Sequence, residues 1–289
     1  MKEPLFTVLM PAYNTAPYIA SAMLSVCNQN YRNWELLVVM DPESDGETYY
    51  EATLLKNSVN QGHKIRIIES PKHGLQFVTN YGIAQASADI IGVLDSDDQI
   101  YEDAITSSVA EQARSKKVGF TWSLVMMDTG KLRGGPVEQY TDLYSAFMDS
   151  GWWKAQHFRT FKRSWYLQSR GLRLHYEYAV DYNLAICMAE SGCECVYIPR
   201  ALYWYRSRRP TNMSNSKRRK QRWCFDELRF KWRKLHEGDR RKIKRETNKQ
   251  KKAIKRNIRA EKIKRAKRVV PPVRREPVVV KRSSGVAAL

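Results

Sequence analysis

Through its first hundred residues the chain alternates short, almost wholly apolar runs with longer segments whose apolar positions recur at helical spacing. Leu5–Met10 is β-compatible and stops at Pro11. Trp34–Met40, WELLVVM, stops at DPESDG, and Lys64–Ile68 and Asp89–Leu94 repeat the pattern. Between them Pro17–Cys27 places Ile19, Met23 and Val26 on one helical face behind a proline suited to a first turn, and Asp45–Leu55 and Leu75–Ala86 also read as helices. Strands that are apolar along their whole length, alternating with helices, predict an α/β fold with a parallel sheet covered on both faces. Ligands of such sheets bind beyond the carboxyl ends of the strands. The loops PAYNT, DPESD and DSDD are therefore expected to meet on one edge.

Beyond Asp98 the pattern predicts a helix over Tyr101–Lys116, a strand over Val118–Met127 and a glycine-containing loop, DTGKLRGGP. An aromatic region follows around Trp152 and Trp153, then an amphipathic helix over Val180–Glu190 and two short strands, Cys195–Ile198 and Ala201–Trp204, flanking Pro199-Arg200. From Lys217 the composition changes. Of the 50 Lys/Arg and 30 Asp/Glu in the chain, residues 217–289 hold 29 and 7, leaving 21 and 23 in residues 1–216. The formal charge of +20 thus belongs to a basic extension on a near-neutral body. In that extension Ile243, Ile254, Ile258 and Ile263 give a helical stretch only a thin apolar stripe, and VVPPVRREPVVVKRSSGVAAL reads as an extended, disordered end. It suits a solvated helix, an arm on anionic lipid or a polyanion-binding arm, with an anionic membrane or polyanionic acceptor favoured over nucleic acid.

The five cysteines, an odd number, match no zinc spacing and read as ordinary thiols of a reducing compartment. The apolar part of the N-terminus is too short for a signal peptide, and no stretch approaches the roughly 20 apolar residues of a membrane span. The expected location is cytoplasmic, at most peripheral at the inner face of a membrane.

The segment IIGVLDSDDQI places Asp95, Asp97 and Asp98 directly after an apolar run. Acidic residues after a strand often cap the next helix, and Asp98 or Gln99 could do so. That accounts for one carboxylate, or two, but not three, because their repulsion raises the pKa of at least one unless a cation is present. A divalent ion on hard oxygen ligands removes the difficulty, and Mn²⁺ or Mg²⁺ with open positions would accept a diphosphate.

Four segments, in order, resemble the family-two inverting glycosyltransferases of the GT-A fold over residues 5–215. They are VLMPAYNTAPYIASAMLSVCNQNYRNWELLVVMDPESDGET, HGLQFVTNYGIAQASADIIGVLDSDD, YAVDYNLAICMAE and IPRALYWYRS. The resemblance implies a Rossmann-like, mostly parallel sheet flanked by helices. It divides residues 1–216 into a nucleotide-sugar-binding half, 1–100, and an acceptor-binding half, 101–216, followed by the basic helical or disordered extension. It assigns Pro11, Tyr13 and Asn14 to the loop that holds the nucleotide, Asp41 to the uracil or ribose, and Gly74 and Asn80 to its flank. Asp95-Ser96-Asp97 matches the metal-binding DxD motif, with Asp97 the direct ligand and Asp95 nearer the ribose. Asp98 then reads as a cap or support of that motif. Asp181 matches the general base, although by itself it would read as a cap of its helix, and Glu177 is a distant second. Arg206 and Arg208 are candidates to face the departing diphosphate. The chain departs from the family pattern at Met40, Pro42-Glu43, Thr79, Val180 and Arg208, where Asp, Gly-Ser, Arg, Glu and His are usual.

The implied reaction is a single displacement that moves sugar from a UDP-sugar or other nucleotide-sugar to a hydroxyl of a glycan, lipid-linked or protein acceptor. Trp152, Trp153, His157 and Phe158 suit either an acceptor platform or a second hydrophobic cluster, and His157 and His175 suit structure as well as function. A nucleotidyltransferase on the same fold lacks the expected Gly/Arg/Lys-rich loop near the first strand. A degenerate transferase body, binding nucleotide or polyanion through its tail, is the remaining alternative.

Overall fold

The computed structural model describes residues 3–133, 155–207 and 218–235. Trp152, Trp153, Arg208, the isoleucine stripe and the end of the extension lie outside the described residues.

The first four apolar runs form parallel strands β1 (Phe6–Ala12), β2 (Trp34–Met40), β3 (Ile65–Glu69) and β4 (Ile90–Val93), connected by helices α1 (Ala16–Cys27), α2 (Gly46–Ser58) and α3 (Leu75–Gln85). After β4 come a two-residue strand β5 (Gln99–Ile100), α4 (Ala104–Ala113), β6 (Val118–Met127), β7 (Leu132–Arg133), β8 (Arg159–Lys162) and a short helix α5 (Arg163–Tyr166). The described part ends with α6 (Val180–Glu190), β9 (Glu194–Tyr205) and α7 (Arg218–Leu235). One sheet runs in the order β3-β2-β1-β4-β8-β6-β9-β5, with β7 paired to β6. β8 is antiparallel to β4 and β6, and β5 to β9, whereas β6 and β9 are parallel. The sheet is mostly parallel, as expected.

Both faces of the sheet are covered. On one, Leu9, Val39, Val93 and Phe161 pack with residues of α3, α6 and α7; on the other, Phe6, Val8 and Met10 pack with α1 and α4. Cys224 and Leu228 of α7 are buried in the first core, and Phe225 lies edge-on to Tyr182 of α6 at 4.7 Å, so the first helix after Lys217 is docked on the body. None of the five cysteines, all of them described, is in a disulfide; Cys193 and Cys195 bring their sulfurs to 4.0 Å.

Three local outcomes depart from the expected pattern. The helix after the acidic cluster starts at Ala104, because Gln99 and Ile100 pair first with Trp204 and Tyr203. Asp98 therefore caps no helix. The two strands around Pro199 are one strand, β9, whose register against β6 slips beside Ser123 and Leu124, where the ladder runs from Ile198 to Ala201 past a residue with no N–H to donate. β8, four residues long, was not foreseen.

Candidate active site

The loops after β1, β2 and β4 do meet on one edge. β6 and β9 also deliver their carboxyl ends there, and β8, running the other way, delivers its amino end. At the rim, Asn14 adopts φ 51°, accepts from Asp45 N–H at its Oδ1 (2.8 Å) and donates its own N–H to Ser44 Oγ (3.1 Å), tying the β1 loop to the start of α2. Tyr13 is exposed, with its ring 5.5 Å from that of His73. Buried Asp41 accepts from the N–H groups of Glu43 (2.9 Å) and Gly74 (2.8 Å) and contacts His73 Nδ1 (2.7 Å). Its carboxylate thus holds the β3–α3 loop over the β2 loop. Gly74 sits at φ 112°, open to glycine at little cost. Met40, Asp41, Ser44, Asp45, Tyr49 and Glu69 line a cleft of about 300 Å³ on this side. Pro11 is the penultimate residue of β1, opposite Val39. Asn80, on α3, accepts from Tyr166 Oη (3.0 Å), which makes it a contact between α3 and α5.

The acidic cluster divides by environment. Asp95 is about one-third exposed, whereas Ser96, Asp97 and Asp98 are buried. Ser96 Oγ accepts from Thr15 Oγ1 at 2.9 Å, locking the β4 loop to the start of α1. Asp98 accepts from Tyr203 Oη (2.9 Å) and Arg206 N–H (2.8 Å). Burial, and then the charge of Asp95, push its carboxyl well above the usual range. It fastens the acidic loop to β9, in keeping with a supporting role. Tyr203 Oη also accepts from Asp95 N–H at 3.2 Å, so one hydroxyl bridges two carboxylate-bearing residues.

Arg206 is half-buried and held by four contacts. Its N–H bonds Asp98, its Nε donates to the Asp97 carbonyl (3.1 Å), and its guanidinium lies between the rings of Tyr18 (4.7 Å) and Trp204 (4.8 Å). The charge is held beside the backbone of Asp97.

The residues that sequence reasoning missed or left undecided start at His157. Its ring stacks on Tyr203 at 4.4 Å, and its Nε2 lies 3.8 Å from Asp95 Oδ2. Burial first, and then the neighbouring Arg159 charge, hold the imidazole well below its ordinary pKa, so it is neutral. Arg159 is 3% exposed. Its Nη2 is 3.0 Å from each His157 ring nitrogen, and its Nη1 donates to Ala155 O and to Asp181 Oδ2, both at 3.4 Å. Asp181 occupies the first turn of α6, and the N-cap position belongs to Ala179, at φ 60°. The Asp181 carboxylate points to Arg159. Asp95, His157, Arg159 and Asp181 thus form a continuous row. The available signal was an arginine set between Phe158 and Phe161, since a charge among aromatic residues is buried only with partners.

Among the described residues no group of three or more His, Cys, Asp or Glu side chains converges as a metal cage. The hard oxygens the cluster offers are those of Asp95 and Asp97. Two carboxylates suit a cation that takes its remaining ligands from a diphosphate.

The sequence model of glycosyl transferase family 2 matches residues 7–170, more than half of the chain. The chain belongs to glycosyl transferase family 2. Among curated relatives, the family 2 chain is 28% identical over 198 residues to the hyaluronan synthase of Pasteurella multocida, covering 66% of itself and 19% of that protein. It is also 28% identical over 196 residues to the chondroitin synthase of the same species, covering 65% of itself and 19% of that protein. It therefore spans about a fifth of those relatives' lengths. Among solved structures, S. aureus TarS 1-349 in complex with UDP-GlcNAc superposes with a TM-score of 0.59 at 16% identity, covering 73% of this chain and 61% of that one. The mannosyltransferase PcManGT of Pyrobaculum calidifontis, in complex with GDP-Man and Mn²⁺, gives 0.57 at 18% identity, covering 73% and 59%. At these identities the likeness establishes the fold: this family 2 transferase has the GT-A architecture.

Proposed function

We propose that this chain is an inverting glycosyltransferase that moves a sugar from a nucleotide-diphosphate donor, a UDP-sugar first among them, to an acceptor hydroxyl. The observation that carries this is the placement of Asp95 and Asp97 on the same sheet edge as Asp181, joined to it through His157 and Arg159. The donor nucleotide would lie over Pro11, Tyr13, Asn14, Asp41 and Gly74, in the cleft beside β2. Mn²⁺ or Mg²⁺, held by Asp97 with Asp95, would supply positive charge to the departing diphosphate. Arg206 holds a further fixed cation beside Asp97, ready for the negative charge that develops there without side-chain reordering. On the opposite side Asp181 takes the proton of the acceptor hydroxyl as its oxygen attacks the anomeric carbon. One attack from the face opposite the leaving group inverts that carbon and needs no covalent intermediate. A UDP-linked donor is in keeping with the UDP-GlcNAc complex of TarS, and the GDP-Man complex of PcManGT keeps guanosine donors in the test.

The test is release of nucleoside diphosphate from a panel of nucleotide sugars, with Mn²⁺ or Mg²⁺ and water as acceptor. We expect one donor to be turned over slowly, with turnover lost in Asp181→Asn and Asp97→Ala. Full activity in both variants would overturn the reading, and Mn²⁺-dependent UDP binding without turnover of any donor would favour a degenerate, binding-only body.

For the basic extension, we propose an anionic membrane or polyanionic acceptor as partner. Arg219, Lys220, Arg222 and Trp223 stand exposed on α7 while its other side is docked on the body. Binding of the full chain to anionic vesicles, to polyanionic glycan and to nucleic acid across a salt series separates these partners.

A further inference from the structure

The row from Asp95 to Asp181 is carried by two side chains with no assigned part in the reaction. In the pairing of β8 with β4, Arg159 lies opposite Val93. His157 precedes β8 at a bend and brings its Nε2 to 3.8 Å from Asp95 Oδ2, while Arg159 reaches both the His157 ring and Asp181. His157 and Arg159 are therefore aimed together at the edge where the acidic loop ends. Ser123 fixes the approach to β8: its Oγ donates to His157 O (2.9 Å) and accepts from Phe158 N–H (2.8 Å).

A guanidinium at 3% exposure is costly to bury and is tolerated only with partners. The partners here are poorly suited to stability. The contact with Asp181 is single and long, at 3.4 Å, the carbonyl of Ala155 is equally distant, and the third partner is the His157 ring, not a second carboxylate. A pair built for stability would be short and bidentate. What the geometry does provide is direction. Arg159 holds Oδ2 of a carboxylate that is about one-third exposed on the first turn of α6, and the same planar fork rests on the ring beside Asp95. The fork spans both because its nitrogens diverge in one plane, which a lysine ammonium cannot reproduce.

Resting on the reaction proposed above, we propose that Arg159 is a positioning residue for the transfer step: it orients Asp181 and, through His157, fixes that base relative to Asp95. Donor binding does not need His157 or Arg159, because neither lines the cleft beside β2. Proton removal from the acceptor does.

The experiment uses the full chain, a panel of UDP-glucose, UDP-N-acetylglucosamine, UDP-glucuronate and GDP-mannose for hydrolysis, and UDP with Mn²⁺ for calorimetry. The variants are Arg159→Ala, Arg159→Lys and His157→Gln. A misplaced base costs rate on the order of 10²-fold, so Arg159→Ala is expected to lose about that much in kcat, with donor KM and UDP affinity within about 3-fold of the parent. Arg159→Lys keeps the charge and is expected to lose roughly 10-fold, and His157→Gln to fall between the parent and Arg159→Ala. Millimolar guanidinium should restore part of the kcat of Arg159→Ala and none of that of Asp181→Asn, a rescue that a merely structural residue would not show. Unchanged kcat in Arg159→Lys and His157→Gln, or loss of UDP affinity in step with kcat, overturns the positioning role while an inactive Asp181→Asn leaves the proposed reaction standing. If the parent chain binds UDP but turns over no member of the panel, or Asp181→Asn is fully active, the proposed reaction fails and the inference with it.

Discussion

Replacing Tyr203 with phenylalanine removes one oxygen atom and leaves the packing intact, which makes it a sharp probe of how the acidic loop is held. Tyr203 is fully buried and stacked on His157, and the phenylalanine ring would keep that stack. The lost hydroxyl donates to Asp98 Oδ2 at 2.9 Å and accepts from Asp95 N–H at 3.2 Å. Asp98 is 1% exposed, so no water replaces the donor without rearrangement. A hydrogen bond to a charged group contributes about 1.5–3 kcal/mol and the part-buried Asp95 amide, left without its acceptor, costs up to about 1 kcal/mol, giving a loss of about 2–4 kcal/mol. The lower end applies if burial and Asp95 keep Asp98 protonated. For a folded body of this size each kcal/mol moves Tm by about 2–4 °C, so a fall of roughly 4–16 °C is expected in a thermal scan, with a matching decrease in the urea midpoint and an unchanged m-value. The same variant should weaken Mn²⁺-dependent UDP binding, because the Asp95–Asp98 loop loses one of its ties to β9. A stability change below about 0.5 kcal/mol, the ordinary scatter of surface substitutions, would refute the view that this hydroxyl clamps the loop.

Other outcomes follow from the same structure. Gly92→Ala would put a Cβ 2.4 Å from Phe158 Cζ and 2.8 Å from Phe6 Cζ, both rings fully buried, so overpacking should cost about 1–3 kcal/mol or more in denaturant unfolding. Glu35 is buried at the other end of the sheet; burial pushes its carboxyl up, but hydrogen bonds from Thr7 and Ser87 and the charge of Arg66 outweigh this and leave it below its ordinary 4.5. Because the folded-state value is depressed, its stabilisation is fully present above pH 4.5 and is lost as pH falls through the folded value; Glu35→Gln should therefore lose stability at pH 7 and flatten the acid limb of the stability–pH curve. Removal of divalent metal with EDTA should lower UDP affinity in the parent chain and leave Asp97→Ala unmoved, as read by calorimetry.

Much of the architecture was legible because it is written locally. Trp34–Met40, Val118–Met127 and Val180–Glu190 were bounded to the residue, since each pairs a strong apolar period with a clear stop, and the carboxylates after Ile90–Val93 announced a site through their mutual repulsion. β8 was not legible. Four residues, RTFK, carry too short a period to distinguish strand from loop. The docking of α7 was also hidden, because the few apolar residues that bury it, Cys224, Phe225 and Leu228, sit among many cations.

The sequence by itself determined the family, the parallel strands of the first hundred residues and the candidates Asp95, Asp97 and Asp181, because each depends on residue type and near neighbours along the chain. The tertiary structure alone decided that Asp98 supports the loop rather than capping a helix, that Arg206 lies against two rings, and that His157 and Arg159 connect Asp181 to the acidic loop. The placement of Arg159 depends on the antiparallel pairing of β8 with β4, and that of Asp98 and Arg206 on contacts with β9 and the residue after it, in each case between residues more than sixty positions apart. Which distant side chains face one another is settled when strands pair, and no period along the chain records it.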